Sequence, residues 1–140
     1  MGVLPIAGYT LIRKELLIAA LLGTSASTAA SAHHSGAMFD QTQELTLSGT
    51  VKDFQWTSPH CWIQLLVSGA NGAQEWSVEL GPPPVLYRQG WRATTIKDGD
   101  QIRVVVNPMK DGSHGGNFLS ATNNGGQPIG KPRPPADREQ

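Results

Sequence analysis

Between Leu45 and Trp56 the apolar side chains take alternate positions through Leu45, Leu47 and Val51, with Gly49 in the same phase; the pattern then slips by one residue and resumes at Phe54 and Trp56. An alternation of period two belongs to a β-strand with one buried face. A slip of one residue inside it would turn every later side chain to the wrong side unless the strand carries a bulge. The segment therefore predicts one long, bent first strand. A bulge bends and twists its strand, so the rest of the chain must supply partners for a curved sheet.

Residues 57–60 read as a turn and residues 61–67 as an apolar, β-branched second strand. Asn71-Gly72 marks a tight turn into a third strand over residues 74–80. Gly81-Pro82-Pro83-Pro84 breaks the sheet, and Pro84 fits the first turn of a short helix through Val85, Leu86, Tyr87 and Arg88 that stops at Gly90. Lys97-Asp98-Gly99-Asp100 turns the chain into a fourth strand over residues 101–107; Pro108 and Lys110-Asp111-Gly112 reverse it toward a fifth over residues 118–122. Three strands, a short helical connection and two more strands is the order of a small Greek-key barrel of the OB type. The expected fold is mainly β: a five-stranded antiparallel OB-like barrel over residues 45–123 with one short helical turn. Its core should include Leu47, Val51, Ile63, Leu65, Val78, Leu80, Ile102, Val104 and Val106. Beyond Asn123 the chain is dominated by Gly125, Gly126, Pro128, Gly130, Pro132, Pro134 and Pro135, and residues 124–140 read as a disordered tail.

The start of the chain has a different logic. Arg13 and Lys14 precede an apolar run over residues 16–22, and small residues lead from there to Ala30-Ser31-Ala32, which is the order of a secretory signal peptide. The run is too short to span a hydrocarbon layer of about 30 Å. Residues 1–32 are read as a signal peptide and residues 33–44 as an arm leading into the barrel, so the expected location is periplasmic or secreted, without stable membrane insertion. Cleavage after Ala32 leaves about 108 residues, enough for one domain with one modest core.

Of the 11 basic and 11 acidic residues the leader holds Arg13, Lys14 and Glu15, so nine and ten remain and the domain is close to neutral. A near-neutral domain offers no footprint for a phosphate backbone, and nucleic acid is not an expected partner. The single cysteine, Cys61, has no internal partner. Its apolar surroundings favour a buried thiol, with a disulfide to another chain as the alternative that an oxidising compartment permits.

Several short motifs follow one another along the chain: His33-His34-Ser35-Gly36-Ala37-Met38-Phe39-Asp40, Leu47-Ser48-Gly49-Thr50-Val51, Phe54-Gln55-Trp56, Pro59-His60, Glu75-Trp76-Ser77-Val78-Glu79, Gly90-Trp91, Lys97-Asp98-Gly99-Asp100 and Asn107-Pro108. In that order they resemble the exported bacterial proteins grouped as domain of unknown function 6152. The resemblance covers essentially the whole region after the leader. It implies a periplasmic or secreted β domain and carries no established activity, cofactor or substrate.

The histidines are His33, His34, His60 and His114. Cleavage after Ala32 would give His33 a free α-amine beside its imidazole. With His34 adjacent and His60 at the turn into the second strand, the set is nitrogen-rich and suits tetragonal Cu(II), with Ni(II) and Zn(II) as competing ions. His33, His34 and His60 are thus the candidate metal ligands, copper the candidate cofactor, and two solvated histidines at a terminus the plain alternative. Trp56, Trp62 and Trp91 are candidates for an aromatic surface that stacks a flat ligand or sugar, with Trp91 in a loop as the most exposed; filling a small core, together with Trp76, is the competing role. Glu75 and Glu79 fall on one face of a strand about 13 Å apart, too far to act on one bond. Asp98 and Asp100 flank Gly99 as turn residues. The sequence holds no nucleophile elbow, zincin helix, phosphate loop or dinucleotide fingerprint, so an enzyme is not the expected class. What remains is an exported binding module, holding copper through His33 or, in the alternative, a small ligand or another exported protein without metal.

Overall fold

The computed structural model describes residues 36–132. The expected signal peptide, His33, His34 and residues 133–140 of the expected tail lie outside the described residues. Strands β1 (Leu45–Gln55), β2 (Trp62–Gly69) and β3 (Gly72–Glu79) are followed by helix α1 (Pro83–Arg88) and by strands β4 (Gln101–Pro108) and β5 (Gly115–Asn123). They close into a barrel in the order β1-β2-β3-β5-β4.

The slip in the β1 pattern is a bulge: the register with β2 shifts between Val51 and Asp53. Below it Leu45–Thr50 pairs with β4, and above it Asp53–Gln55 pairs with β2 alone. The turn before β4 is fastened to the bulge, where Val51 N–H donates to the Asp100 carbonyl and Gly99 N–H to the Val51 carbonyl, each at 2.8 Å. The β2–β3 hairpin closes at Gly69 and Gly72. Its turn residues are Ala70 and Asn71, and Gly72 takes the positive φ of 106° that the reversal requires.

The sheet is not wholly antiparallel, because β3 and β5 run parallel from Ser77–Gly115 to Glu79–Asn117. Directions that alternate around a closed ring of five strands must repeat once, so an odd barrel needs one parallel pair. The chain places it at the shortest contact, three residues long.

All nine expected core positions are buried. Trp91, the ring expected to be most exposed, joins them with no accessible surface. Gly90 turns the chain back beneath α1, Trp91 N–H donates to the Leu86 carbonyl at 2.9 Å, and the indole fills the barrel end against Phe54 and Phe118, at 5.9 and 5.5 Å between ring centroids. The first part of the expected disordered tail is held in place. Asn123 Oδ1 accepts from Gly125 and Gln127 N–H, Ile129 N–H donates to the Ala121 carbonyl, and Lys131 N–H donates to the Gln89 carbonyl at the end of α1. This strap over residues 127–131 lies so close to the plug that a Cβ on Gly130 would sit 2.0 Å from Trp91 Nε1. No helix among the described residues is long and apolar enough to cross a membrane.

Candidate functional site

His60 ends the turn that enters β2. Thr57 Oγ1–H donates to its carbonyl at 2.9 Å, and the β2–β3 ladder continues past it, with Leu80 N–H donating to the Cys61 carbonyl and Cys61 N–H to that of Gly81. This register sets His60 beside the end of β3, where its Nδ1 meets Glu79 Oε1. The two side chains are 31% and 9% exposed. Burying a carboxylate is costly unless hydrogen bonds compensate, and the ring N–H supplies one. The pairing assigns a proton to Nδ1 and leaves Nε2 as the nitrogen with a lone pair when the ring is neutral.

The pair stands in a cleft of about 410 Å³ between the end of the barrel and α1. Phe39, Leu80, Val85, Leu86 and Phe118 supply its apolar walls, and His60, Glu79, Arg88 and Asn117 its polar ones. Gly36 also lines it. The described part of the arm is tied to the end of β4, where Asp40 N–H donates to the Pro108 carbonyl, Lys110 N–H to that of Met38, and Lys110 Nζ to that of Ala37. Asp40 braces the arm internally, and its carboxyl is held below the usual range chiefly by the Thr42 hydroxyl.

The other candidates lie elsewhere. Trp56 is half-buried against the core and meets Phe54 edge-on at 5.9 Å; Trp62 is half-buried opposite Glu79 in the ladder; Trp91 is the internal plug. None of the three lines the cleft. Trp76 packs against the core and stacks with His114 at 5.0 Å, away from His60. Cys61 points inward and is buried; burial pushes its thiol up, against the weaker opposing effect of the contact in which Sγ–H donates to the Thr57 carbonyl at 3.7 Å. It therefore stands as a neutral structural thiol beside a histidine that faces the other way. Glu75 is exposed and pairs with Lys52 at 2.6 Å, while Asp100 accepts from Lys97 N–H as a turn residue.

Among the described residues no three His, Cys, Asp or Glu side chains gather as a metal site. What sequence reasoning missed is Glu79 as the partner of His60, and Arg88 and Asn117 as polar walls. Counting residues back from the Gly69–Gly72 closure does bring position 60 to the end of β3.

A closed five-stranded barrel with a helix between its third and fourth strands defines an OB-like domain. The chain belongs to DUF6152, a family of unknown function whose model matches residues 21–118. No curated protein matches the sequence. Among solved structures the chain is similar to two crystal forms of Rim1, a mitochondrial single-stranded DNA binding protein from S. cerevisiae. One form shows 9% identity and a TM-score of 0.44, covering 59% of this chain and 94% of that one. The other shows 4% identity and the same score, covering 66% and 98%.

Proposed function

We propose that the chain is an exported, non-catalytic binding module, trimmed before His33, that holds one Cu(II) ion at the mouth of the cleft. The observation that carries this reading is the contact of His60 Nδ1 with buried Glu79. Metal-binding imidazoles are oriented in this way, with one nitrogen donating to a carboxylate and the other turned to the ion. Chain connectivity leaves the remaining donors within reach of the cleft. Gly36 is a cleft residue and His33 stands three positions before it, a reach of at most about 10 Å. The terminal amine, the rings of His33 and His34 and Nε2 of His60 would make a nitrogen-rich set suited to Cu(II). Ligation needs deprotonated nitrogen donors, so affinity should fall in acid.

The test is calorimetric titration with paramagnetic resonance on protein beginning at His33, beside one form with an extra N-terminal Gly and one with His60→Ala. Tight one-to-one binding that weakens in both variants supports the reading. Affinity and spectrum unchanged by the extra Gly refute the amine ligand. Binding indifferent to His60→Ala assigns the copper to the terminus alone.

A further inference from the structure

The cleft is far larger than an ion needs. Its volume of about 410 Å³ lies in the range of small-molecule pockets, and much of its wall is apolar. Of the charged groups in that wall, Glu79 is turned onto His60 Nδ1. Arg88, at the last turn of α1, makes no hydrogen bond or ion pair among the described residues. Arg92 nearby shows the contrast: its guanidinium donates to the Tyr87 and Trp91 carbonyls and lies 3.7 Å from the Tyr87 ring centroid. One arginine is spent on structure, and the other is left at the edge of a cleft with both apolar and polar walls.

We propose that the cleft binds a small organic monocarboxylate, its apolar body against Phe39, Leu86 and Phe118 and its carboxylate on the Arg88 guanidinium. Guanidinium presents a planar fork that matches a carboxylate, which gives such a ligand both its charge complement and its orientation. The aliphatic and aromatic walls take a body of about one ring or a medium alkyl chain. A purely polar anion would leave those walls wet, and a neutral molecule of the same shape would leave the guanidinium in water. This inference rests on the cleft as a binding site and not on the metal, so it is tested on metal-free protein.

The probe is 3-phenylpropionate, titrated into ¹⁵N-labelled protein beginning at His33, with 3-phenylpropan-1-ol, 3-phenylpropylamine and propionate as comparison probes. Saturable shifts at Leu80, Gly81, Leu86, Arg88 and Gln89 are expected with 3-phenylpropionate at millimolar concentration, weaker for the alcohol and the short acid, and weakest for the amine. Arg88→Gln, an exposed change that should leave the rest of the spectrum intact, should weaken the acid about tenfold and leave the alcohol unchanged. A Val85→Trp variant, which puts a large ring into the cleft wall, should abolish both. Equal binding of acid and alcohol, an acid affinity indifferent to Arg88→Gln, shifts centred elsewhere on the barrel, or no response up to about 10 mM would each overturn the proposal. A failed copper titration leaves every one of these outcomes readable.

Discussion

The barrel interior and the cleft at its α1 end are built from opposite materials. The interior is lined by aliphatic side chains delivered at every second residue, with Ile63, Leu65, Val78, Val104 and Val106 wholly out of solvent. The cleft is made where regularity stops: a turn gives His60, the end of β3 gives Glu79, a six-residue helix gives Arg88 and the start of β5 gives Asn117. The interior spends its residues on burial, whereas the cleft holds a buried carboxylate and a guanidinium without a hydrogen bond or ion pair among the described residues. Substitutions should therefore divide the two regions cleanly, with stability lost in one and binding in the other.

The largest stability effect is expected at Trp91, which belongs to the interior although a loop carries it. Trp91→Ala should cost about 3–5 kcal/mol in chemical denaturation, since it removes the plug between Phe54 and Phe118. A loss below about 1 kcal/mol would make the α1 end a loose appendage and break the division. Gly130→Ala comes next. Its φ of 65° and the proximity of Trp91 Nε1 leave no room for a methyl, so the strap should lift at a cost of about 1–3 kcal/mol, and the Ile129 and Lys131 amides should lose exchange protection while the β-ladder keeps its own. Glu79→Gln should change stability by no more than about 1 kcal/mol yet lower Cu(II) affinity about 10–100-fold, because an amide still accepts from Nδ1 but no longer offers the imidazole a charge. The smallest effect concerns Cys61. Its thiol is raised by burial, so the folded chain holds the proton more tightly than the unfolded one; stability is whole below the ordinary thiol value of 9.0 and declines as pH rises above it. Denaturation from pH 8 to 10 should show this decline, and Cys61→Ala should remove it.

Much of the interior was legible because period two is a strong signal. The phase slip at Val51 located the bulge, and the alternation named nine buried positions. The parallel β3–β5 contact was not legible by that route, since Gly115, Gly116 and Asn117 carry no apolar pattern, although the parity of a five-stranded ring implies it. Trp91 was misplaced because glycine before it and arginine after it signal a loop, and nothing local says that the loop folds inward. The strap was missed for a related reason: Gly and Pro deny it a core of its own, but Ile129 and three backbone hydrogen bonds borrow one from the barrel. In the cleft, His60 was legible by chemistry and Glu79 only by pairing, because strand register and not sequence proximity brings them together.

The central claim is that the terminus beginning at His33 and the barrel residue His60 meet at one ion. Substoichiometric Cu(II) added to ¹⁵N-labelled protein beginning at His33 tests it directly, since the paramagnetic ion broadens the amides around it. Loss of signal should centre on Gly36, His60, Gly81 and Arg88 while Gly72 and Asn123 stay sharp. Broadening confined to residues before Gly36, with His60 and Gly81 undisturbed, would contradict the account.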